Sequence, residues 1–510
     1  MGIRAFLAAG ALVAGGLTGT VIGPGAADAD SCESASAADF NGDGHDDIVI
    51  GDYRANVADE VAAGAVAVNY GDDELGDGSW LTLTEDSPGV ASGPSRETGA
   101  AAGDGFGWAI ATAHIDADGC LDLLVGAPWR DDGGQRPDAG AVHLVFGSPD
   151  GLGRGRPGHL LRAADWSGSG NGAQAGQLFG WSVGAADARL ADRSAVAIGA
   201  PYDDRPAKNR SGTVRDAGAV RIAWFTGAGA PAARKTFGQD APQFPGSPEV
   251  GDLFGWAVAL GATGGQDALR DLIVTEPYED VSGEGADVGS VTVLNDISGP
   301  AGRITNEHWH YGNIDLPAVD RGLIGYSLAY AEDGKTRYVA AGIPGQTVAG
   351  RKRAGAVKMF TSTGAGLKPA GLYTARDGRA DDRFGFSVAL AGPAVTGAGT
   401  QLAAGAPYAN GQRGYAHLVP VGQPAQGTRI EPAGYGGAGV PGNGARFGWS
   451  VAFAGDRAEE GALLIGVPDD REKVTGSITI HPFGDTQRRL IPDGIGFPSA
   501  DLTDFGNSLS

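Results

Sequence analysis

Nine residues near the start of the chain carry the clearest chemistry: Asp39-Phe40-Asn41-Gly42-Asp43-Gly44-His45-Asp46-Asp47. Carboxylates and an amide at alternate positions can converge on one ion, and Gly at the sixth position permits the tight turn. Asp39, Asn41, Asp43 and Asp47 would give side-chain oxygens, and His45 its backbone carbonyl. Hard oxygen donors in this order suit Ca2+. The competing reading is an acidic, solvated β-turn. A second loop, His114-Ile115-Asp116-Ala117-Asp118-Gly119-Cys120-Leu121-Asp122, keeps Asp116, Asp118 and Asp122 but has His114 at the first ligand position. Imidazole is a poor Ca2+ ligand, so this loop is the weaker candidate.

Other groups invite readings that their context decides. Gly180-Trp181-Ser182-Val183-Gly184 matches a nucleophile elbow, but that motif needs a strand-to-helix turn and here it lies inside a repeat unit. Glu307-His308-Trp309-His310 lacks the H-E-x-x-H spacing and reads as an irregular edge loop. Acidic pairs stand at Asp131-Asp132, Asp203-Asp204, Glu279-Asp280 and Asp469-Asp470. They read first as turn residues, with an acidic rim for a basic partner or a cation-bridged sugar as the sharper alternative. No catalytic carboxylate pair with a histidine can be assigned, so the expectation is that the chain is not an enzyme.

The elements that position these loops come from composition and repetition. The chain has 510 residues, 89 Gly, 28 Pro, 42% hydrophobic residues and a formal net charge of -23. That balance is too apolar for disorder, and the charge repels nucleic acid. Residues 1–29 read as a secretory signal peptide: Arg4, an uncharged apolar run, then Ala27-Asp28-Ala29 as the cleavage site. No later apolar run is long enough to span a membrane. A secreted, extracellular monomer is expected. In that compartment Cys32 and Cys120 would form one disulfide, the alternative being two free buried thiols.

Phe106-Gly107-Trp108-Ala109-Ile110 recurs at 179–183, 254–258, 324–328, 384–388, 447–451 and 505–509. A second element, Val125-Gly126-Ala127-Pro128, follows each of the first six copies by about 20 residues. Its unmatched seventh copy is Ile50-Gly51-Asp52-Tyr53. A third element, as in Gly140-Ala141-Val142, sits in short β-prone runs bounded by Gly, Pro and Asp. The chain opens on a second element and closes on a first element. Joined, they complete one repeat, which is how a ring closes. The Phe and the second aromatic of each first element are expected to pack between blades.

The double motif resembles the FG-GAP repeat of integrin α-subunit propellers and of secreted phospholipase D. The resemblance covers residues 31–510. It implies an all-β, seven-bladed β-propeller over 30–510, its first blade shared by residues 31–100 and 498–510. It also places Ca2+ in loops such as 39–47, and the acidic loops on the opposite face, where such propellers bind partners. The leading expectation is a calcium-stabilised, non-catalytic extracellular binding or adhesion module for a protein or carbohydrate ligand. The alternative is a secreted hydrolase or polysaccharide-acting enzyme on a propeller scaffold.

Overall fold

The computed structural model describes residue 32 and residues 38–509, apart from 73–74, 92–98, 117, 134–135, 167–171, 187–193, 210, 243, 245, 266–270, 301–302, 434–439, 456–460, 471–475, 484–486, 493–496 and 498–503. The expected signal peptide lies outside the described residues. Seven four-stranded antiparallel sheets follow one another in chain order as the blades of a propeller. Blade 2 shows the plan. Its innermost strand is Ala109–Ala113, followed outward by Asp122–Ala127, Ala141–Val145 and His159–Arg162. Blade 1 is built from Ile48–Asp52, Ala65–Tyr70 and Ser79–Leu83, and its innermost strand is Ser508–Leu509 from the far end of the chain. Ile50 pairs with Leu509 and Gly51 with Ser508, so the two ends share a blade.

Burial follows position in the blade. Middle strands are covered by a neighbouring blade on each face, so both alternating sets of side chains are apolar. Ala219–Phe225 is buried throughout, whereas its outer neighbour Pro231–Phe237 is largely exposed. The core is correspondingly divided into seven clusters, one per seam between blades. Phe106, Phe179, Phe254, Ile324, Phe384, Phe447 and Phe505 are each fully buried in one of them. The expectation that the Phe packs between blades is met.

The repeated small residues join each blade to the next. A Cβ on Gly466 would strike the carbonyl oxygen of Gly506, the glycine of the following Phe-Gly turn. Gly506 itself has φ +88, a conformation that favours glycine. The carbonyl of that turn is then gripped by a hydroxyl: Ser450 Oγ donates to Gly506 O at 2.6 Å. Ser182, Ser327 and Ser387 make the same bond to Gly255, Gly385 and Gly448, and Ser508 makes it to Gly107 across the seam from blade 1 to blade 2. Ser182 therefore serves as a clasp between blades, as the repeat context indicated. Two short helices, Pro393–Thr396 and Ala409–Gln412, are the α-helical elements among the described residues.

Candidate functional site

Antiparallel order puts the loops between first and second strands on one face of the ring, and the loops between second and third strands on the other. The first face carries the acidic loops 39–47 and 114–122. Asp39 Oδ1 accepts the amides of Asn41 and Gly42, and its Oδ2 that of Gly44. Asp43 accepts the amide of His45 and the side-chain amide of Asn41. Asp47 takes the amides of Phe40 and Gly71, so it also braces the loop. Burial, reinforced by the charges of Asp39 and Asp43, pushes the Asp47 carboxyl up to about 8. Three carboxyls thus stand in one small loop, oxygen donors of the type a hard cation takes, and their crowding helps drive one of them toward protonation.

The second loop differs in one decisive contact. Arg156 Nη1 lies 3.1 Å from Asp116 Oδ2, so a guanidinium already supplies positive charge there. Asp118 is raised to about 7 and Asp122 well above its ordinary value, mainly by burial. Asp122 binds the amides of Ile115, Asp116 and Gly147. Asp271 makes an equivalent set of bonds in blade 4, where the calcium spacing is missing. The last Asp of these loops is thus first a strand brace. Cys32 and Cys120 are bonded, and Cys32 sits between Gly42 and Gly119, tying the two loops together. Such a bond fits an oxidising compartment.

On the opposite face, sequence reasoning missed the principal feature. The second aromatic of each first element does not pack between blades. Trp108, Trp181, Trp256, Tyr326, Phe386 and Trp449 run in series around the ring axis, with successive ring centroids 4.7–5.4 Å apart. Trp449 Nε1 then donates to Asn507 Oδ1 at 2.9 Å, so the last, degenerate copy of the motif takes the next place in the series. The reason is strand alternation. Phe points into the seam, Gly turns the chain, and the next side chain faces the channel. A second tier comes from residues at or beside the Pro position: Tyr53, Trp129, Tyr202, Tyr278 and Tyr408, each in contact with the first. The signal was available, since both positions repeat as aromatics.

Charged groups rim this mouth. Asp504 pairs with Arg54 at 3.4 Å and receives the Tyr53 hydroxyl. Burial raises its pKa. Behind it Asp52, fully buried, accepts the Asp504 amide at 2.9 Å and is pushed up to about 7, again chiefly by burial. The acidic pairs are largely spent on architecture. Asp131, Asp204 and Asp280 accept the amides of Asp138, Asp216 and Asp287 within their own loops. Asp203 is buried against Arg221, and Asp470 against Ser477 and Arg489. The turn reading of these pairs holds over the rim reading.

Glu307-His308-Trp309-His310 is not a loop. Its first three residues end the outer strand Thr305–Trp309, paired in register with Val291–Asn295. Glu307 bonds the Leu367 amide, His308 the Thr292 hydroxyl and His310 Glu284, so the side chains diverge. Among the described residues no cluster of His, Cys, Asp and Glu is close enough to be read directly as a metal centre. No helix among them is long and apolar enough to cross a membrane.

Comparison with known proteins adds the family of the repeat. The FG-GAP repeat model matches residues 33–68 and 106–145. The chain carries FG-GAP repeats and forms a seven-bladed β-propeller, as in integrin α N-terminal domains. Phosphatidylinositol-glycan-specific phospholipase D of Rattus norvegicus is 29% identical over 177 residues, covering 34% of this chain and 19% of the relative. The Bos taurus protein is 29% identical over 170 residues, covering 33% and 18%. The chain thus spans less than a fifth of the curated relatives it matches. Among solved structures, a Synechocystis apocarotenoid oxygenase mutant has TM-score 0.43 and 13% identity, covering 91% of this chain and 93% of its own. A Trypanosoma rangeli sialidase has TM-score 0.40 and 11% identity, covering 79% and 58%. At those scores neither bears on the chemistry. The matched phospholipases are enzymes, so the expectation that this chain is not one does not stand.

Proposed function

We propose that this FG-GAP propeller is a secreted hydrolase acting on a glycan-bearing substrate, whose sugar rings stack in the aromatic mouth. The mouth itself carries the reading. Two tiers of aromatic faces around one opening offer the apolar surface and edge hydrogen-bond donors that pyranose rings use. The matched phospholipases are named for a phosphatidylinositol-glycan, which supports a sugar-bearing substrate. Asp504 is the carboxyl placed to exchange a proton with that substrate. Tyr53 and Arg54 hold it in position, and Asp52 tunes it from behind without reaching solvent. In hydrolysis a protonated Asp504 would give its proton to the leaving oxygen. Water would add to the other fragment and return a proton to the carboxylate.

The test is turnover of a phosphatidylinositol-linked glycan and of neutral polysaccharides by the purified protein. Asp504→Asn should lower kcat by about 100-fold or more with little change in KM. Trp181→Ala with Trp256→Ala should raise KM about tenfold, as losing two stacking faces implies. Absence of turnover on either substrate class would remove the hydrolase reading. Binding unchanged by the tryptophan pair would remove the mouth from it.

Loop 39–47 is proposed as a Ca2+ site held by Asp39, Asn41, Asp43 and Asp47 with the His45 carbonyl. The ion would neutralise the crowded carboxyls and need not take part in chemistry. Calcium at about 100 times its Kd should stabilise the protein by about 2.7 kcal/mol. Thermal midpoints with calcium and with a chelator measure that gain, and Asp43→Ala should abolish most of it. Asp43 is the informative position because Asp47 also braces the fold. Loop 114–122, already paired with Arg156, should contribute the smaller share, so Asp118→Ala should leave most of the calcium gain intact. Identical midpoints with calcium and chelator would refute both assignments.

A further inference from the structure

Residues 335–383 hold ten Lys or Arg against three Asp, in a chain whose net charge is -23. We propose that part of this excess, a basic crescent beside the aromatic mouth, is a subsite for phosphoryl groups carried on the glycan. The proposal rests on the glycan reading of the mouth and specifies its substrate class.

The crescent consists of Arg351, Lys352, Arg353, Arg376, Arg379 and Arg383, on two loops bonded side by side. Lys352 O accepts the Asp381 amide at 3.0 Å, and Arg353 O the Arg383 amide at 3.1 Å. The other seams act as an internal control. Two backbone positions with positive φ recur at successive seams, occupied by Asp138 and Leu178, Asp216 and Leu253, and Asp287 and Leu323. At the seam between blades 5 and 6 the same positions are Arg353, φ 49, and Arg383, φ 55. The Asp and Leu of those three seams are replaced by two guanidinium groups here, on backbone of the same shape; at the next seam the pair is Gln412 and Arg446, and that guanidinium is paired with Asp469.

The charge is available. Asp381 pairs with Arg353, Asp377 pairs with Arg429, and Asp382 is buried against the Tyr415 hydroxyl. Among the described residues no ion pair engages Lys352, Arg376, Arg379 or Arg383, and the first three are exposed. Arg383 reaches back to the mouth, its guanidinium 4.5 Å from the Tyr408 ring centroid. An anionic group held there would sit next to a sugar stacked on the aromatic tiers. Guanidinium forks match phosphoryl oxygens in pairs, which favours phosphate over a single carboxylate.

The probes are a phosphomannan, the same mannan after enzymatic removal of phosphate, and inorganic phosphate. At about 50 mM NaCl the phosphomannan should bind about tenfold tighter, and the margin should collapse near about 0.5 M NaCl. The triple variant Lys352→Glu, Arg376→Glu, Arg379→Glu should lose the margin while binding the dephosphorylated mannan as before. Equal affinity of the native protein for both polymers, or a margin that survives in the triple variant, overturns the crescent and leaves the mouth standing. If neither polymer binds, the glycan reading fails. Inorganic phosphate then decides: a thermal-midpoint rise seen in the native protein and absent from the variant keeps the anion site, and no rise overturns it.

Discussion

A chain ending at residue 503 is expected to lose its cooperative thermal transition. The missing segment does work in two seams at once. Phe505 is fully buried with Ile478, Ile480 and Phe497 between blades 7 and 1. Leu509 and Ser508 close the first sheet, and Ser508 Oγ grips Gly107 O at 2.7 Å on the way to blade 2. Ser450 loses its acceptor when Gly506 goes. Phe505→Ala alone should cost about 3–5 kcal/mol, and each lost clasp about 1 kcal/mol. Set against the roughly 5–15 kcal/mol that holds a domain folded, these losses alone reach the low end of that range, and the truncation also leaves the first sheet without its innermost strand. Calorimetry of the truncated chain beside Phe505→Ala measures both. A truncated protein melting within a few degrees of the full chain would show that closure contributes little.

The second large effect is expected at Cys32 and Cys120. The bridged residues are 88 positions apart. Closing a loop of that length should stabilise the folded state by about 4–5 kcal/mol through the entropy removed from the unfolded chain. Locally, Cys32 N donates to Asp118 O at 3.0 Å, and a Cβ on Gly42 would lie 2.7 Å from Cys32 Sγ. The double variant Cys32→Ser, Cys120→Ser should therefore lower the denaturant midpoint and also reduce the calcium gain at loop 39–47. A stability change below about 1 kcal/mol, with that gain intact, would mean the bridge is incidental to both loops.

The scaffold was legible because its joints use residue types that few other positions tolerate. Phe-Gly and Gly-Ala-Pro recur where a seam needs a buried ring, a positive φ and a glycine without a side chain in the path of a carbonyl. The split repeat at the two ends named the closure. The face chemistry was harder to read. Trp108 and its equivalents sit one residue past the turn glycine, and only the direction of the strand tells that they face the axis. Arg156 is 34 to 40 positions from the acidic residues of the second loop, too far for spacing to reveal it as their counter-charge. Arg353 and Arg383 gain their meaning from proximity across two loops, and from the Asp and Leu residues that hold the same places at three other seams. Repetition exposes what blades share. Function here lies where one blade departs from the rest.

Closure also sets a clock. Asp52 and the amide that caps it belong to residues 452 positions apart. At about 5–20 residues per second, on the order of 25–90 s of synthesis separate the two partners. Throughout that interval the Ile48–Asp52 strand presents an unpaired edge, open to any other strand that passes. The yield of folded ring is therefore governed by how well that edge is shielded while the chain is being made, a kinetic burden that no measurement on the finished protein would register.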